Sequence, residues 1–94
     1  MMYSTPHNVE IRKPDGRLSG QFKAEINTAS RTIRFEAIQL PADVGDFQID
    51  VGDVVIHHIG NGTEKEYRIL DPGFHAYNCH GLEERYVMRV RLLP

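Results

Sequence analysis

Residues 53–73 read DVVIHHIGNGTEKEYRILDPG, and this stretch decides the fold. Asn61-Gly62 stands between two β-rich runs. A two-residue type I′ turn needs positive φ at both central positions, which Asn and Gly tolerate best. Centring the turn there sets Ile56 opposite Tyr67 and Val54 opposite Ile69 on one face. The other face then pairs His57 with Glu66 and Val55 with Arg68. The pattern predicts a hairpin that buries its Tyr67 face and turns its His57 face to water, because a one-residue slip would exchange the two faces. Asp71-Pro72-Gly73 closes the stretch as a second turn, with Pro at the first corner and Gly where positive φ is wanted.

A second hairpin lies upstream. A loop of Thr28-Ala29-Ser30-Arg31 sets Ile26 opposite Ile33, Ala24 opposite Phe35 and Phe22 opposite Ala37. The reverse face then matches Glu25 with Arg34 and Lys23 with Glu36. Apolar pairs on one side and opposite charges on the other fit a half-solvated antiparallel sheet. Before it, residues 8–12 alternate with Val9 and Ile11 on one face, and Lys13-Pro14-Asp15-Gly16 reads as a turn. A strand is expected from about residue 17 to 27, with Gly20 marking a bulge or bend. Phe47, Ile49 and Val51 suggest a short strand leading into Gly52-Asp53. At the end, Tyr86, Met88, Val90 and Leu92 alternate with Val87, Arg89 and Arg91 in a last strand.

No stretch shows helical spacing over ten residues. Six or seven short strands with turns every 8–12 residues predict an all-β fold, a small antiparallel β-barrel or β-roll built from hairpins. Closure would also hide the sheet edges. The 94 residues form one domain, with residues 1–6 as a flexible lead-in. A chain of this length buries about 65% of its unfolded surface, enough for a modest core without a metal or disulfide staple.

Composition narrows the function classes. The formal charge is −2, so no global positive field draws the chain to nucleic acid or anionic lipid, although a local basic stripe remains open. One cysteine, Cys79, cannot form an internal bridge, and a reducing compartment is the simpler reading. No apolar run approaches the ~20 residues of a membrane span, and the first residues lack the apolar core of a signal peptide. Cytoplasm is the expected location, with no membrane partner.

Four sets of residues carry candidate chemistry. His75, Cys79 and His80 are metal-ligand types, but H-x₃-C-H is not a zinc spacing and no Cys-x₂-Cys exists. The same residues supply the types for a thiol nucleophile with a histidine base. His57 opposite Glu66 would make a pH-sensitive cross-strand pair. Val55 and Ile59 flank His57 on the face expected to be wet, and Phe74, Tyr77 and Leu82 punctuate the aperiodic residues 74–84. These six form either a covered sheet or an apolar contact surface. Arg68, Arg85, Arg89 and Arg91 compose a basic stripe of the kind that follows a single strand, with Glu64, Glu66, Glu83 and Glu84 near enough to cancel much of its field.

Gly52-Asp53-Val54, Asn61-Gly62, Tyr67-Arg68-Ile69 and Asp71-Pro72-Gly73-Phe74 together resemble a pattern in small bacterial and phage-associated β proteins. The run is also similar to the Gly-Asp-x-Val strand and hairpin return of phage head–tail closure proteins, though no helix is evident at the start of this chain. The resemblance covers about a quarter of the sequence, and it implies a small β fold and no particular activity. The sequence reading is therefore a non-enzymatic protein-interaction or structural module, phage-associated by resemblance, that binds a protein or a second copy through residues 74–84 and the adjoining sheet. Nucleic-acid binding along Arg68, Arg89 and Arg91 is one alternative, and a metal or thiol site at His75, Cys79 and His80 is another. No cofactor is implied.

Overall fold

The computed structural model describes residues 6–36, 48–75 and 85–94. Seven strands run in chain order: β1 (His7–Arg12), β2 (Phe22–Asn27), β3 (Thr32–Glu36), β4 (Val54–Gly60), β5 (Thr63–Asp71), β6 (Phe74–His75) and β7 (Arg85–Leu92). All pairings are antiparallel, in the order β3-β2-β1-β4-β5-β7, and β3 pairs again with β7. That last pairing closes six strands into a small barrel. β6 continues along β7 past the end of β5. No helix among the described residues is long and apolar enough to cross a membrane.

The upstream hairpin forms in the expected register, with Ile26 opposite Ile33 and Glu25 opposite Arg34. The Arg34 guanidinium donates to Glu25 Oε1 at 2.8 Å. β2 starts later than expected, at Phe22. The bend at Gly20 (φ 82°) turns residues 17–21 off the β2 line. Buried Ser19 there closes the end of β1: its Oγ accepts the Ile11 N–H at 3.0 Å, and its own N–H donates to the Ile11 carbonyl at 2.9 Å.

The central hairpin corrects the sequence reading. Asn61 (φ 54°) and Gly62 (φ 76°) make the expected turn, and Gly60 pairs with Thr63. Below the turn, however, the register shifts between His58 and Gly60. Gly60, at φ 112°, takes a backbone conformation that a side chain would resist, and a bulge follows. One extra residue on β4 then sets Val55 opposite Tyr67, Ile56 opposite Glu66 and His57 opposite Lys65. Tyr67 and Ile69 face inward as expected. Val55 joins them there, fully buried, in place of Val54 and Ile56; Ile56 is buried too, but on the other face and outside the interior cluster.

The barrel interior is filled by Val9 and Ile11 from β1, Phe22 and Ala24 from β2, and Ile33 and Phe35 from β3. Val55, Tyr67, Ile69, Met88 and Val90 complete it from the far side. Ile49 also reaches this core, but residues 48–50 form no strand, and Val51 lies exposed in the turn before Asp53. The anticipated Phe47–Val51 alternation fails because Ile49 is anchored by tertiary contact, not by pairing. Phe47 and Ala37 lie outside the described residues, as do residues 1–5 of the lead-in.

A charged plug seals the end of the barrel near Asp53. Lys13 is 8% exposed and Asp53 1%. The Lys13 ammonium donates to Asp53 Oδ2 at 2.6 Å, to the Gln48 carbonyl at 2.7 Å and to Asp50 Oδ2 at 2.9 Å. The Asp50 N–H donates to Asp53 Oδ2 at 2.9 Å, so the carboxylate is held from two sides. Burial is the largest single influence on the Lys13 pKa and acts to lower it. The bonds and charges of Asp53 and Asp50 together outweigh it, so the pKa lies above its ordinary value.

Candidate functional site

The opposite end of the barrel is open. There β2 ends, β3 and β5 begin, and β7 ends, and a cavity of about 440 Å³ lies between them. Ile26, Tyr67, Val90 and Leu92 give it apolar walls, and Asn27, Thr28 and Thr32 add short polar groups. Arg31, Lys65 and Arg91 complete the lining. Each position follows from local structure. Arg31 sits at φ 58° in the β2–β3 turn, and its carbonyl accepts the Val90 N–H at 3.0 Å, which fixes the turn against β7. Lys65 lies two residues before Tyr67 on the same inward row of β5, where the row leaves the core.

Tyr67 is 7% exposed, and burial raises the pKa of its phenol. Its hydroxyl makes no hydrogen bond among the described residues. The ring is buried but the hydroxyl is not sealed in, so on the cavity wall it is a polar group open to a ligand.

Outside the barrel, Arg68 stands directly opposite Arg91 across β5 and β7. Like charges at such a position are destabilising, and a nearby carboxylate normally relieves them. Here none does. Glu66 is taken by Arg12, whose guanidinium donates to both of its carboxylate oxygens at 3.2 and 3.3 Å. Glu64 is taken by the His58 ring, with Nδ1 at 3.0 Å from Oε2. The glutamates expected to cancel the stripe are therefore drawn toward β1 and β4. Arg89, two residues along from Arg91, is likewise in no ion pair among the described residues, and neither are Arg31 and Lys65. Glu83 and Glu84 lie outside those residues.

Comparison with protein-family models, curated proteins and solved structures finds no match.

The other expected site residues separate. Val55 is core and presents nothing to a partner; the bulge at Gly60 has turned its face inward. The same shift ends the expected His57–Glu66 pair. His57 stands opposite Lys65 and meets the His7 ring edge-on at 4.7 Å. Burial first, then the positive charges of His7, Lys65 and His58, hold the His57 pKa below its ordinary value. Its Nδ1 is buried without a hydrogen-bond partner among the described residues. His58 is the histidine that meets carboxylates, Glu64 on one ring nitrogen and Glu10 Oε1 at 3.3 Å on the other.

Ile59 is exposed in the bulge. Phe74 begins not a loop but β6, opposite Tyr86, and is 47% exposed. It ends a row of rings through Tyr86 and Phe35 to Phe22, with centroids 4.9, 5.0 and 4.7 Å apart. Of the metal or thiol candidates, His75 has its backbone in β6. Cys79 and His80, with Tyr77 and Leu82, lie outside the described residues. Among the described ones no group of three such side chains is arranged to hold a metal ion.

Sequence reasoning found Arg68, Arg89 and Arg91 but missed Arg31 and Lys65. Lys65 was readable from alternation with Tyr67. Arg31 was hidden because a turn residue reveals its neighbours only once the barrel closes.

Proposed function

We propose that this chain is a non-enzymatic binding module whose partner is a polyanion, nucleic acid, held along the outer face of β5 and β7 and around the open mouth. The observation that carries the reading is the Arg68–Arg91 pair, two arginines placed face to face with their nearest glutamates engaged elsewhere. A fold that maintains such a pair gives up stability at that spot, and a phosphate chain passing over it would supply the missing charge. Arg89, Arg31 and Lys65 extend the positive surface from the sheet to the mouth. The net charge of −2 is not spread evenly: Glu66, Glu64, Asp53 and Glu25 are engaged by Arg12, His58, Lys13 and Arg34, away from the β5–β7 face.

Fluorescence anisotropy with labelled single- and double-stranded oligonucleotides at low salt tests the proposal. Binding should weaken steeply as salt rises, and Arg68→Glu with Arg91→Glu should abolish it while the thermal melt is kept. No retention of any probe at low salt would remove the reading.

Phe74 favours a second reading, a protein contact or self-association at the β6 end. A half-exposed ring continuous with a buried aromatic row is the form of an interface anchor. Light scattering of the wild type and Phe74→Ala addresses it: a strictly monomeric protein that captures no second copy would end the self-association form.

A further inference from the structure

Resting on the polyanion reading, we infer that the open mouth of the barrel receives one unstacked nucleobase, so that the module takes single strands in preference to duplex. A cavity of about 440 Å³ falls in the size range of small-ligand pockets and admits a base with its sugar. Its walls divide in the way a nucleotide does. Ile26, Tyr67, Val90 and Leu92 offer flat and aliphatic surface to a base, and Arg31, Lys65 and Arg91 offer charge to the adjoining phosphates. The Tyr67 hydroxyl, carried on a ring that is mostly buried and bonded to nothing described, is a donor and acceptor for a base edge.

Two alternatives fit less well. A duplex keeps its bases stacked inside and shows a cavity only its backbone, which would use the cations and leave the apolar wall empty. An acidic peptide would satisfy the cations, but its short carboxylate side chains would not fill the hollow behind them. Arg91 belongs both to the mouth and, opposite Arg68, to the outer face. A strand can therefore run from sheet to mouth over one continuous positive path, with a single base turned inward where the path meets the opening.

The test compares wild-type binding of four probes at low salt: a short oligothymidylate, a duplex of equal length, the same oligonucleotide with abasic sites, and polyglutamate of matched charge. Stacking of one base is worth ~1–3 kcal/mol, about fivefold to over a hundredfold in affinity. The oligothymidylate should therefore bind at least about fivefold tighter than the duplex or the abasic probe, and far tighter than polyglutamate. Leu92→Trp, a change at a half-exposed position, should fill the mouth and bring single strand and duplex level. Equal binding of the intact and abasic strands, or an undiminished preference in Leu92→Trp, overturns the base pocket and leaves the polyanion reading standing. Polyglutamate binding as tightly as oligothymidylate overturns it in favour of an acidic peptide. Loss of all four probes overturns the polyanion reading and this inference together.

Discussion

Replacing Lys13 with methionine probes the buried Lys13–Asp53 ion pair. Methionine keeps the length of the side chain and removes the ammonium. Asp53, 1% exposed, would then retain, among the described residues, the Asp50 N–H as its donor. Removing one member of a buried ion pair strands the other, and the usual loss is about 3–5 kcal/mol. A domain of this size has a total stability of roughly 5–14 kcal/mol, so the variant should lose a large part of it. Urea denaturation followed by far-UV circular dichroism reads the change as a lower midpoint at unchanged slope. Asp53→Asn should cost less, because Lys13 keeps Asp50 and the Gln48 carbonyl. A pH series adds a signature. The folded Lys13 pKa is raised, so its contribution is complete below the unfolded value near 10.5 and is lost as pH climbs through the folded value. The wild type should therefore lose its advantage over Lys13→Met in that alkaline window. A loss below about 1 kcal/mol at neutral pH would show that water reaches the pair and would refute the argument.

Other outcomes follow from the same geometry. Val55→Ala should cost about 2 kcal/mol or more while Ile59→Ala stays near neutral; the reverse order in denaturant melts would restore the unshifted register. Gly73→Ala should fail to fold at physiological temperature, since its Cβ would overlap the Val87 carbonyl at φ 58°, and a native-like spectrum at that temperature would contradict the corner. The lowered His57 pKa means the unfolded chain takes up that proton first, so stability is full above pH 6.5 and falls below it. His57→Phe should flatten that acid-side loss, which stability measured at steps from pH 7.5 to 5 will show. Each arginine removed from the Arg68, Arg89 and Arg91 group should lower the salt slope of oligonucleotide binding by about one unit; an unchanged slope would place the phosphates elsewhere.

How much of this could be read in advance depended on where each determinant lay in the chain. Glu25 and Arg34 announce the β2–β3 register because they are nine residues apart and their charges must meet. Asn61-Gly62 announces the turn for the same local reason. Gly60 beside it carries no signal that it will spend a residue on a bulge, yet that residue moved Val55 from the expected contact surface into the core. The closed all-β architecture was legible from alternation alone. The plug was not, because Lys13 and Asp53 are distant in sequence and each resembles an ordinary surface charge. The arginine row was legible as composition. Its freedom from Glu64 and Glu66 was not, since that depends on His58 in β4 and Arg12 beyond it in β1.

β7, made after its partners, has three neighbours waiting for it. β7 pairs with β5, β6 and β3, and until it emerges both β3 and β5 present bare backbone edges of the kind that recruit other chains. A nascent or nicked chain without β7 is thus an open, sticky ribbon, while in the folded one the β3 and β5 edges are both paired. Quality control in the cell would meet these as two different objects separated by one short segment, and a tag or fusion that delays β7 from docking should show itself first as insolubility.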